Sequence, residues 1–286
     1  MLPQLRDFVG MFLDPLVEQG VLERGPRGYI AVGGFGEAEP VVPPEYLVAR
    51  DAAREAGVPY RAALTGPFTL ASSIAAPGGR PGDMFSSILG DRELFGGLVG
   101  YVAGLARAVA REVGPALVCF DEPVLSVIVG ARRVLFGFTP GEIRAALDRV
   151  LGAAGGVWMR GVHVCSRLPT LLRGVLLGLS NAEFLDHEHS DIPENRGFYS
   201  RGDLEGAGKF LGYGVVSSRR PVVEGVEEVY ALAAEAAERY GDRLLFLKPD
   251  CGFRGLAGAR GGREYEEIVL PKLRVLVEAA RRLGGG

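Results

Sequence analysis

Apolar positions along the chain follow two periods. Leu5, Phe8, Val9, Phe12, Leu13, Leu16 and Val17 recur every three or four residues, which predicts a helix over 4–20 with one core-facing stripe, stopped at Gly20. Residues 29–43 read as a short hairpin with a glycine-rich bend. Gly33, Gly34 and Gly36 lack the G-x-G-x-x-G spacing ahead of a helix, so a plain turn is preferred to a phosphate loop. From residue 45 the periods alternate. Helix 45–56 leads to a strand at 61–64, helix 92–112 to 116–120, and helix 139–152 to a buried strand at 156–164 that takes in Val157, Trp158 and Met159. Helix 168–178 then leads to 181–188, helix 201–208 to 210–216, and helix 225–240 to 244–247, with a last helix over 264–283.

Strands alternating with helices predict a parallel β/α architecture. Polar or chemically special residues stand just after the strands: Thr65, Asp121, His163, Glu188, Arg219 and Cys251. In a β/α barrel the strands' carboxyl ends converge on the active site. The alternative, an open doubly wound sheet, does not bring the ends of so many successive strands to one point.

The chain has three cysteines and three histidines. His163 and Cys165 are two apart at a strand end and therefore leave it side by side. Cys251 follows the strand 244–247 after a Pro-Asp turn, and Glu188 ends the run 181–188, on one face with Phe184 and Asp186. One imidazole, two thiols and a carboxylate form a donor set that suits zinc. His187 and His189 flank Glu188 and rival it as the fourth donor. A lone His-x-Cys is more often structural and cysteine is common in cores; the conjunction at strand ends is what favours a metal. Cys119, two before Asp121, reads as core.

Composition narrows the class. A chain of 286 residues, 48% hydrophobic, can bury a large core. Its formal charge of −3 argues against a nucleic-acid partner. No apolar run reaches the roughly 18 to 20 residues that span a bilayer, and no signal peptide is visible, so no membrane partner is expected. Scattered cysteines give no disulfide scaffold, which points to a reducing cytoplasm.

Taken together, Leu64-Thr-Gly-Pro-Phe-Thr69, Phe120-Asp-Glu-Pro123, His163-Val-Cys165, Leu185-Asp-His-Glu188, Gly214-Val-Val216 and Lys248-Pro-Asp-Cys-Gly252 resemble the catalytic domain of cobalamin-independent methionine synthases. The match is to the short archaeal type and runs from about residue 4 to the C-terminus. The resemblance implies a single TIM (β/α)8-type barrel domain over 1–286 that lacks the family's first two β/α units, six strands matching. A separate chain supplying those units, or a misassigned start, is the expectation that follows. The resemblance also implies zinc ligands His163, Cys165, Glu188 and Cys251, and assigns Asp121 to the amino group of L-homocysteine, where the plain alternative is a carboxylate capping the next helix. Thr65 is expected to line the pocket through backbone groups and Glu122 to brace the site or a neighbouring strand.

The implied activity is methyl transfer to the homocysteine thiol, giving methionine. A free thiol has a pKa of about 8.5 and only its thiolate is a good nucleophile; zinc coordination removes the proton at neutral pH. Folate-using relatives carry Asp-x-His after the seventh strand, with the His as acid. Here Ser217-Ser218-Arg219 stands there, and Arg does not act as an acid at neutral pH. The expectation drawn is a donor that leaves without protonation, methylcobalamin or a methylated corrinoid protein, with Arg219 binding an anionic substrate group or making a surface ion pair. Competing readings are a related enzyme methylating another thiol such as coenzyme M, and a non-catalytic subunit in which zinc only staples the fold.

Overall fold

The computed structural model describes residues 7–285. Two compact units emerge, one from 7–163 with 169–182, the other from 164–168 with 183–285.

The first unit opens with helix α1 (Gly10–Glu18), which buries Met11, Phe12, Leu13 and Leu16. The expected start at residue 4, and Leu5, lie outside the described residues. Strands β1 (Leu22–Gly25) and β2 (Gly28–Ala31) pair antiparallel, so the hairpin falls several residues earlier than the 29–43 pattern suggests. Gly28, at φ 149°, takes the backbone outside the range open to other residues. Helix α2 (Pro44–Ala56) ends on Gly57 in the left-handed conformation and leads to β3 (Arg61–Thr65). A short helix α3 (Pro67–Ser72) and a two-residue strand β4 (Ile74–Ala75), parallel to β2, follow.

Helix α4 (Arg92–Glu112) is capped by Asp91, whose carboxylate accepts from Glu93 N and Leu94 N at 3.0 Å each. At 21 residues it is long and apolar enough by composition to cross a membrane, contrary to the expectation from apolar runs. Its apolarity has a local cause: it packs against α3 and against α6 (Pro140–Ala153), burying Leu98, Val102, Leu105 and Val109. Strand β5 (Leu117–Asp121) and a single-turn helix α5 (Leu125–Ile128) precede α6; β6 (Met159–Val164) and α7 (Thr170–Leu177) complete this half. Trp158, expected inside the strand, stands before it and is 77% exposed.

Strands β3, β5 and β6 pair parallel in chain order, and their ends are level. Thr65 is the register partner of Asp121, and Asp121 of His163. Adjacent strands run about 4.8 Å apart, so three of the residues singled out by the sequence stand side by side.

The second unit repeats the pattern. Strand β7 (Phe184–His187) pairs parallel with β8 (Phe210–Val216), and β8 with β9 (Leu244–Pro249). Helix α8 (Arg201–Ala207) has a capping box from Ser200 and Asp203. Helices α9 (Val226–Tyr240) and α10 (Leu270–Leu283) pack on each other. Both halves are mixed α/β with mainly parallel strands.

Candidate metal centre

His163, Cys165 and Cys251 form a group whose ligand atoms all lie within 4.8 Å of one another. His163 is the penultimate residue of β6 and is 4% exposed; Cys165 follows the strand's last residue. Ser166 then turns the chain at φ 67°, a conformation rare outside glycine. That turn aims Ser166 N at Glu188 Oε2, 2.7 Å away. Asn195 fixes it: its Nδ2 donates to Ser166 O and Glu188 O at 2.9 Å, and its Oδ1 accepts from Leu168 N at 3.0 Å.

Cys251 is placed by Asp250. The buried Asp250 carboxylate accepts from His189 N (2.9 Å) and Ser190 N (3.1 Å), binding the turn after β9 to the segment that follows Glu188. Gly214 in β8 makes this possible, since a Cβ there would fall 2.0 Å from Asp250 Oδ1. Lys248, buried, pairs with Asp186 at 2.7 Å and donates to Pro249 O at 3.0 Å.

The donors suit zinc. Zinc–sulfur and zinc–nitrogen bonds of about 2.3 and 2.0 Å place ligands on one ion roughly 3.5–4 Å apart, within the span of this group. Charge points the same way. The Cys251 thiol is pushed well above the usual thiol range, first by its hydrogen bond with Cys165, then by burial and by the charge of Cys165. Two thiolates this close need a cation between them.

Glu188 is fully buried beside the cluster but is not one of the three. Its Oε1 accepts from Cys251 Sγ at 3.0 Å, and Arg219 Nη2 reaches Oε1 and Oε2 at 3.0 and 2.9 Å. The rivals are accounted for. His187 directs Nδ1 to Val164 O (2.9 Å) and Nε2 to the Tyr199 hydroxyl (3.1 Å). His189 stacks on Tyr213 at 3.7 Å and accepts from Gly214 N at 3.3 Å; burial, followed by the charges of His187 and Lys248, holds its pKa well below the usual range, so it is neutral.

Asp121 is half-buried at the end of β5 beside His163, and α5 has no side-chain cap, so helix capping is not its role. Thr65 donates through Oγ1 to Phe8 O at 2.6 Å. Glu122 braces the helix α3 rather than the site or a neighbouring strand: it accepts from Phe68 N at 2.9 Å, Thr69 N at 2.8 Å and Thr69 Oγ1 at 2.7 Å. Cys119 is core, with no exposed surface. Ser166, Asn195, Glu224 and Lys272 were not singled out by sequence. Asn195 alone carried a signal, being one of two asparagines in the chain.

Residues 163–282 match the family model described as the cobalamin-independent synthase, catalytic domain. The matched stretch begins at His163 and holds Cys165, Glu188, Arg219 and Cys251. Over this stretch, less than half of its length, the chain is similar to the cobalamin-independent methionine synthases. It is 24% identical to the methionine synthase of Methanocaldococcus jannaschii over 273 residues, 90% of this chain and 76% of that protein. Against the methionine synthase of Methanothermobacter marburgensis it is 30% identical over 173 residues, 59% of this chain but only 48% of the relative. Several other methionine synthases are likewise spanned over less than two thirds of their length. Among solved structures, a B12-independent methionine synthase from Shewanella sp. W3-18-1, in complex with selenomethionine, shares the fold. The TM-score is 0.60 at 19% identity, covering 90% of this chain and 70% of that one.

The family corrects one expectation. A cobalamin-independent synthase domain contradicts methylcobalamin or a methylated corrinoid protein as donor and partner. Arg219 makes an ion pair, with the buried Glu188.

Proposed function

We propose that this chain is a zinc-dependent methyltransferase that methylates the thiol of L-homocysteine to give methionine. The observation that carries the reading is the His163, Cys165 and Cys251 cluster, inside the stretch that matches the family. When bound, zinc supplies a Lewis acid that holds a thiol as its thiolate at neutral pH. His163, Cys165 and Cys251 would hold the ion, with Glu188 beside them. Asp121, in register beside His163, takes the ammonium group of the amino acid and so fixes where its sulfur points. Thr65 contributes through its backbone, its hydroxyl being committed to Phe8 O. A site at the strand ends fits a closed β/α barrel, and we read 1–286 as one catalytic domain of that kind. None of the three cysteines is in a disulfide, which suits a cytoplasmic enzyme.

Zinc-loaded protein given L-homocysteine and a donor without a corrinoid, methyltetrahydrofolate first, should form methionine. The Cys251→Ser variant should form none. Equal turnover by Cys251→Ser would remove the cluster from the chemistry.

A further inference from the structure

Ser166, the residue after Cys165, lies at φ 67°. It is one of two non-glycine residues at positive φ among the described residues. A side chain disfavours that region, so the surroundings must hold the residue in it.

Asn195 does so with three backbone contacts. Its Nδ2 donates to Ser166 O and to Glu188 O at 2.9 Å each, and its Oδ1 accepts from Leu168 N at 3.0 Å. Carbonyls only accept and an N–H only donates, so this pattern fixes the orientation of the amide. Asn195 is 1% exposed, and its own segment is tied down. Asn195 N donates to Ile192 O and Phe198 N to Asn195 O, both at 3.0 Å, while Arg196 Nε donates to His189 O at 3.0 Å. An anchored side chain thus grips the turn one residue beyond Cys165.

We propose that Asn195 is a positioning residue that sets the Cys165 thiol for the metal by locking Ser166 in its left-handed conformation. This rests on the zinc reading above. Strand β6 holds the chain up to Val164, and Asn195 holds it again at Ser166 and Leu168. Cys165 stands between the two anchors. Without the second, Ser166 relaxes to negative φ and the backbone at Cys165 shifts with it. Metal binding then has to restore the turn, and affinity falls. Aspartate does not replace Asn195: it matches the size but presents acceptors to the two carbonyls that Nδ2 serves.

The test loads the whole chain with Co²⁺. Metal affinity is read by chelator competition and thiolate ligation by charge-transfer absorbance. Asn195→Asp and Asn195→Ala should each weaken metal binding by about 10- to 100-fold, the usual effect of losing a side chain that orients a ligand. Ser166→Val, with Asn195 intact, should weaken it comparably, because a β-branched residue resists positive φ. Ser166→Gly in the Asn195→Ala background should restore affinity several-fold, since glycine enters the left-handed region freely. Thermal melts confirm that each variant is folded; where an Asn195 variant is not, Ser166→Val decides alone, and unchanged affinity there overturns the proposal. A loss in Asn195→Ala that Ser166→Gly does not relieve would reduce Asn195 to a general brace and overturn its role at Cys165. Unchanged metal affinity in both Asn195 variants, with Cys251→Ser still abolishing metal binding, would overturn that role and leave the zinc site standing. Wild-type protein that binds no metal would overturn both.

Discussion

Glu122 illustrates how far one buried side chain departs from its ordinary chemistry. It has no exposed surface, and burial raises its pKa from 4.5 to about 7. Hydrogen bonds from Thr69 and Phe68 oppose the rise, and the charge of Asp121 adds to it. Gly66 permits the approach, because a Cβ there would lie 2.3 Å from the Glu122 carboxyl carbon. The folded state therefore binds a proton that the unfolded chain releases above pH 4.5. The stabilisation is complete below 4.5 and is lost as pH rises to about 7, an amount of roughly 3 kcal/mol. Unfolding free energies of wild type and Glu122→Gln, measured from pH 4 to 8, should differ by a pH-dependent term. Wild type should lose stability relative to the variant as pH rises across this interval; parallel curves would show that Glu122 keeps an ordinary pKa. The resemblance implied that Glu122 braces the site or a neighbouring strand, and it braces α3 instead. It did not carry the elevated pKa, which comes from burial and outweighs the hydrogen bonds of Phe68 and Thr69, more than fifty residues away along the chain.

Elements with a strong period were readable, and those set by remote packing were not. Helices α4 and α9 and strands β5 and β8 fall within a few residues of their patterns. Trp158 misled because an apolar side chain next to a strand can still face solvent. The last helix was read as continuous over 264–283, yet Tyr265–Val269 is a π-turn, with Leu270 N bonding Tyr265 O. Pro271 gives the cause: its ring crowds the carbonyl four residues back, and the wider turn relieves it. Helix α10 then carries Lys272 to Glu224, a pair 48 residues apart that no local pattern announces. Removing one partner of such a buried pair leaves a charge uncompensated. Lys272→Met should cost about 3–5 kcal/mol in denaturant unfolding. It should also loosen the 217–220 loop, visible as faster amide exchange at Ser217, whose N–H is held by Glu224. A loss below about 1 kcal/mol, with exchange unchanged, would mean the pair is not an anchor.

Of the residues that the sequence offered as donors, His163, Cys165 and Cys251 fall together. When strands end level, residues just past each end meet. Thr65, Asp121 and His163 are register partners for that reason. Hidden from the sequence was the surrounding control: a left-handed Ser166, the Asn195 clamp, and an arginine from a distant loop bound to the acid expected to be a ligand. The corrinoid inference rested on the missing acid in Ser217-Ser218-Arg219, and the match to a cobalamin-independent domain overturns it. The central claim is that the centre takes homocysteine as a thiolate, and proton release tests it without any methyl donor. Free homocysteine is mostly protonated at pH 7, its thiol pKa being about 8.5. Calorimetric titration of zinc-loaded protein in buffers of different ionisation enthalpy should show about one proton released per homocysteine bound. Homoserine, and homocysteine added to Cys251→Ser, should release none. Homocysteine that binds the zinc-loaded chain with no proton released would contradict the account.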